Sequence, residues 1–128
     1  MKGIMILWMI FFGLASYAQS SPDAIVGKWL KTPKEDLVIR VYKAGTEYKG
    51  KIIKEKEALK NKWVGFIILE GLQYNSDKQT WKGGKIHDPN SGKTYDAEAK
   101  IKEDGYLEVN CYLGMKFLGT KKYFKWVK

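Results

Sequence analysis

Nucleophilic, acid–base and metal chemistry each require particular side chains, and this chain holds few of them. His87 is its only histidine and Cys111 its only cysteine. His87 stands beside Asp88 in a stretch dense in turn formers, a pair able to pass a proton or ligate a metal. One histidine does not complete the usual zinc set, and the simpler reading is a solvated turn histidine. Cys111 alternates in phase with Leu107, Val109 and Leu113. That pattern marks a small buried apolar residue, because activated thiols sit exposed in electropositive surroundings. Ser91 has no histidine to activate it other than His87. No Walker loop, dinucleotide fingerprint or metal-ligand cluster is present. The sequence therefore names no catalytic residue, no metal site and no cofactor.

The remaining chemistry is charge. The formal net charge is +9, with Arg40 the only arginine. Arginine is the better reader of phosphates and bases, so a lysine-rich surface argues for a solvated face rather than for nucleic acid. Two clusters stand out. Lys49, Lys51, Lys54, Lys56, Lys60 and Lys62 are offset by Glu47, Glu55 and Glu57, while Lys116, Lys121, Lys122, Lys125 and Lys128 have no acids between them. Aromatic residues lie near both (Tyr48, Trp63, Tyr123, Trp126). Peripheral contact with anionic lipid or glycan is the functional reading of such a face.

The N-terminus sets the expected compartment. Met1-Lys2 gives a positive start, Ile4–Leu14 is almost wholly apolar, and Ser16-Tyr17-Ala18 offers small residues at a signal-peptidase site. This is the three-part pattern of a secretory signal, and its apolar run falls well short of the roughly 20 residues that span a bilayer. Cleavage is expected after Ala18, with no cysteine there for lipid attachment. The expected product is a periplasmic or secreted protein: residues 1–18 signal peptide, 19–24 a polar lead-in, 25–128 one domain. With a single cysteine it has no internal disulfide, so stability must come from a core.

The elements that position these residues follow a period of two. Strand side chains alternate between faces, so alternation implies one wet and one dry face. From Thr94 to Lys102, Tyr95, Ala97, Ala99 and Ile101 share one face. Asp104-Gly105 reads as a hairpin turn, and the chain returns with Leu107, Val109, Cys111 and Leu113 in phase. Further strands are expected over 25–30, 37–42, 47–53, 64–69, 81–86 and 123–127, with 54–62 a charged loop. Short strands with Gly, Asn and Asp turns argue for a sandwich or barrel, and a closed barrel removes exposed edges. The expected fold is all-β: a small antiparallel eight-stranded barrel.

Specific motifs sharpen this. Gly27-Lys28-Trp29 resembles the Gly-X-Trp that opens lipocalin-like barrels, where the tryptophan closes the base beneath a basic side chain of the last strand; Lys125 is the expected cation here. Ile25–Trp29, Tyr48–Ile52, Ala58–Lys62 leading to Gly65, and above all Trp81–Tyr95 resemble the exported bacterial family called domain of unknown function 2147. So does the close from Leu107 through Gly114, Phe117, Gly119 and Trp126. The resemblance covers nearly all of the chain after the signal. It implies a lipocalin-like (calycin-type) barrel in the Gram-negative envelope and implies no activity. His87 stands where the family usually has tyrosine, which argues against an essential histidine. The loop before Ala58 is shorter than usual and lacks its Asn/Asp-Pro residues.

Two readings of the signature follow. Structurally, Gly83 and Gly84 permit a bulge, Asp88-Pro89 starts a tight turn, and Gly92 supplies a positive φ. Functionally, Gly84, Lys85, Asp88, Pro89, Gly92, Lys93 and Tyr95 form a ligand mouth. The interior candidates are Trp29, Ile39, Val41, Phe66, Ile68, Trp81, Tyr95 and Val109. Three functions stay open: non-enzymatic binding of a small, hydrophobic ligand in the barrel; an interaction module using the lysine-rich face; and an enzyme using His87, Asp88 or Cys111. The sequence leaves the oligomeric state undefined.

Overall fold

A computed structural model describes residues 21–56, 60, 62–115 and 119–128. The signal segment and Gln19 lie outside the described residues, as do Ala58, Leu59 and Asn61 of the family pattern, Lys116 of the second lysine cluster, and Phe117. A 3-10 helix, Pro22–Ile25, precedes eight strands: β1 (Gly27–Thr32), β2 (Leu37–Ala44), β3 (Glu47–Glu55), β4 (Ile67–Asn75), β5 (Thr80–His87), β6 (Thr94–Ile101), β7 (Leu107–Tyr112) and β8 (Thr120–Val127). Every strand pairs antiparallel with its sequence neighbour, and β8 returns to pair with β1, closing the barrel. Closure leaves no sheet edge.

The alternation read in the sequence is the inside–outside pattern of the wall. Ala97 faces Cys111, Ala99 faces Val109 and Ile101 faces Leu107 across β6 and β7. Ala97, Ala99, Leu107 and Val109 are fully buried. The turn between them forms as expected: Asp104 Oδ1 accepts the Tyr106 N–H at 3.0 Å. The glycine pair also has its physical cause. The β5–β6 register shifts between Trp81 and Gly84, and a Cβ on Gly84 would lie 2.8 Å from the Glu70 carbonyl oxygen. Only a bare backbone fits there.

Four expectations are corrected. The first strand begins at Gly27, not Ile25: residues 22–25 form a 3-10 helix whose Ile25 and Pro22 carbonyls accept the Trp29 and Trp81 indole N–H groups. The fourth strand begins at Ile67, not Val64, because residues 62–65 turn and the Phe66 N–H donates to the Trp63 carbonyl. Leu113 lies beyond the end of β7 and is 70% exposed, out of phase with Cys111. Trp126, not Lys125, meets Trp29: directly opposed residues share a face, the register opposes Trp29 to Trp126, and the rings pack edge to face at 5.2 Å. Lys125 points outward and pairs with Glu35 at 2.9 Å.

Candidate functional site

The two barrel ends are built differently. The end at the start of β1 is sealed. Trp29 Nε1 donates to the Ile25 carbonyl, and Trp81 Nε1 donates to the Pro22 carbonyl, each at 2.9 Å. The Tyr48 hydroxyl donates to Asp23 Oδ1 at 2.6 Å. Three wall residues from β1, β5 and β3 thus clamp one turn of 3-10 helix across the opening. Desolvation, reinforced by the Asp23 carboxylate, pushes the Tyr48 hydroxyl up to about 12. Ile25 fills the centre and is fully buried. The rings of Trp29 and Trp81 pack around it, both buried.

Among the described residues, no such plug crosses the other end. Its loops join β1 to β2, β3 to β4, β5 to β6 and β7 to β8. The β5–β6 loop closes on itself: the Asp88 N–H donates to the Lys93 carbonyl, and the Gly92 N–H to the Asp88 carbonyl, both at 2.8 Å. Gly92 has φ +74°, the left-handed geometry that glycine adopts without strain. Asp88 Oδ1 accepts the Asn90 N–H at 2.9 Å. Burial pushes the Asp88 carboxyl up, but hydrogen bonds from Asn90 and Ser91 and the charge of Lys122 outweigh it and leave it below the usual range.

Between these loops and the packed lower barrel lies a cavity of about 350 Å³. Its apolar wall includes Leu37, Ile52, Ile68, Ile86, Trp63 and Phe124. Charge enters it from three strands and two loops: Lys31, Glu55, Lys122, Asp36 and Asp88 all line it. Lys31 follows Trp29 by two residues and Lys122 precedes Phe124 by two, so the alternation that buries the rings turns both lysines inward. Burial lowers the Lys31 ammonium, the Lys122 charge lowers it further, and Asp36 offsets part of this. Among the described residues, neither ammonium lies within 4.0 Å of a carboxylate oxygen.

Glu55 reaches the interior through a bulge. Val38 pairs with Lys54, yet Ile39 pairs with Ile52, so Ile53 is the extra residue. Without it, strict alternation from Ile52 would turn Lys54 inward and Glu55 outward; bulges re-aim side chains in this way. Glu55 is 7% exposed. Its Oε1 accepts the Trp63 N–H at 2.5 Å. Its Oε2 and the Oδ1 of Asp36 are buried without a hydrogen-bond partner. Asp36, Leu37 and Glu55 also border a shallower groove outside the barrel.

Of the interior candidates, Ile68 and Tyr95 line the cavity. Trp29, Ile39, Val41, Trp81 and Val109 are buried in the packed core, and Phe66 stands against Trp63 beside it. Of the mouth candidates, Asp88, Pro89 and Tyr95 line the cavity. Gly84 is in the wall, and Gly92 and Lys93 are exposed in the turn. Lys85 lies on the outer face bonded to Asp96. His87 is not a solvated turn residue: it ends β5, half-buried, its Nδ1 2.8 Å from Thr94 Oγ1 and its Nε2 2.5 Å from Glu70 Oε2. Cys111 lines the cavity as a buried thiol whose pKa burial raises and the nearby Lys122 and Lys31 charges pull back. Sequence reasoning passed over Lys31 and Asp36 and read Glu55 and Lys122 as members of solvated charge clusters, not as cavity residues. A lysine in the dry phase of a strand was the available signal for Lys31 and Lys122; the bulge hides Glu55.

A closed eight-stranded barrel with one plugged end and one cavity-bearing end defines a lipocalin-like protein. Within that class, the chain belongs to the family described as "Uncharacterized protein conserved in bacteria (DUF2147)", whose model matches residues 27–126. A solved Helicobacter pylori structure, described as belonging to the lipocalin family, superposes with a TM-score of 0.68. It is 18% identical, over 81% of this chain and 83% of that one. No curated protein matches the chain in sequence.

Proposed function

We propose that this protein is an exported binding protein that holds one small ligand, apolar over most of its surface, in the cavity-bearing end of the barrel. The observation that carries this is the cavity itself. The core below it is filled with Trp29, Trp81, Ile39 and Val41, while about 350 Å³ above is lined by apolar side chains with a few polar groups converging on it. That volume lies within the usual range of small-molecule sites. Native mass spectrometry of protein purified from its own envelope tests the reading, and the expected result is a bound mass released on denaturation. A clean apo mass, with no thermal shift across lipids, sugars and aromatics, would overturn it. Edman sequencing of the same material is expected to begin at Gln19.

A second reading has its own observation. The mouth loops carry exposed Val64, Leu113 and Met115, with Lys60 and Lys62 exposed nearby in sequence. Apolar tips with lysines suit an anionic membrane surface or glycan. Salt-sensitive sedimentation with anionic vesicles is expected, and no binding at low salt removes this reading.

A further inference from the structure

The cavity carries opposite charges that, among the described residues, form no ion pair within 4.0 Å, although Asp36 and Asp88 lie near enough to favour the charge on Lys31. On one side are the ammoniums of Lys31 and Lys122, from neighbouring strands β1 and β8. They are close enough for Lys122 to disfavour the charge on Lys31. Next along the wall are Asp36 and Glu55, at the adjoining ends of β2 and β3, where Leu37 opposes Glu55. Each of these carboxylates keeps one buried oxygen without a donor. Glu55 is more than nine-tenths buried, where a carboxylate oxygen without a partner is costly. Asp88, the third carboxylate at the cavity, is already occupied by the N–H of Asn90.

A wholly apolar ligand would dehydrate the ammoniums and leave the two bare carboxylate oxygens without a partner. A simple anion would satisfy the lysines and leave the carboxylates bare; a simple amine would do the reverse. Resting on the reading of the cavity as a ligand site, we propose that it selects a small zwitterion: an anionic group at Lys31 and Lys122, an ammonium at Asp36 and Glu55, and an apolar remainder against Ile68, Ile86 and Phe124. Sites built to hydrogen-bond a polar group reject analogues lacking it, because their own buried groups are then left unpaired.

The test uses one eight-carbon chain with different heads, titrated by NMR into the purified, ligand-stripped protein: octanol, octanoate, octylamine, 2-aminooctanoate and 8-aminooctanoate. At least one of the two amino acids is expected to bind about tenfold or more tighter than octanoate and octylamine. Glu55→Gln is expected to weaken that amino acid and octylamine but not octanoate. The paired change Lys31→Met with Lys122→Met is expected to weaken it and octanoate but not octylamine. Octanoate, octylamine or octanol matching the amino acids on the unaltered protein overturns the zwitterion and leaves the cavity a ligand site. Failure of all five to bind overturns both readings.

Discussion

The ring donors of the floor and the carboxylates of the mouth are treated in opposite ways, although Thr80 Oγ1 beside Trp81 is also buried without a partner. At the floor, Trp29, Trp81 and Tyr48 each bury a donor and each spend it on the 3-10 helix. At the mouth, Asp36 and Glu55 bury acceptors that nothing within the described residues satisfies. A satisfied buried network rigidifies, and a partly satisfied one costs stability. The floor's ring donors are met within the fold; the mouth's carboxylates each keep a buried oxygen that is not.

Removing a floor ring tests this most severely. Trp81→Ala is expected to cost about 3–5 kcal/mol, read as a lowered urea midpoint, since it empties a fully buried site and frees the Pro22 carbonyl. A loss under about 1 kcal/mol would remove the floor's structural role. Next comes the wall between the two ends. Gly84→Ala must push aside Leu72 and the Glu70 carbonyl, at about 1–3 kcal/mol for an overpacked site. If stability were unchanged but ligand binding fell, Gly84 would belong to the mouth after all.

Tyr48→Phe is expected to cost about 1 kcal/mol at neutral pH, the net worth of one hydrogen bond. Its pH dependence is more telling. The folded value is raised from 10.0 to about 12, so the stabilisation is fully present below pH 10 and is lost as pH rises through about 12. The difference between wild type and Tyr48→Phe should therefore shrink across that window. A constant difference would mean that the hydroxyl is not buried against Asp23. The smallest effects belong to the mouth and carry the opposite sign. Glu55→Gln keeps an acceptor for the Trp63 N–H while removing a buried charge, and Lys31→Met removes a desolvated ammonium. Each is expected to leave stability unchanged or raise it by up to about 1 kcal/mol. Destabilisation by either would place these residues with the floor.

Much of this molecule was legible in its residues. Alternation over Thr94–Lys102 and Leu107–Cys111 specified a hairpin and its inward face, because a strand exposes every second side chain to the same surroundings. Asp104-Gly105 and Asp88–Gly92 marked their turns, since short acidic side chains and glycine satisfy the tight backbone locally. The Trp81–Tyr95 run placed the chain in its family. Only the tertiary structure decided what the two ends are. The 3-10 helix forms because Trp29 and Trp81, 52 positions apart, both reach its carbonyls, a meeting that no local pattern encodes. The cavity exists because β8 closes on β1, bringing Lys122 beside Lys31. One extra residue at Ile53 then turns Glu55 into the same space. Alternation says which residues share a face, and closure together with a bulge says which faces meet.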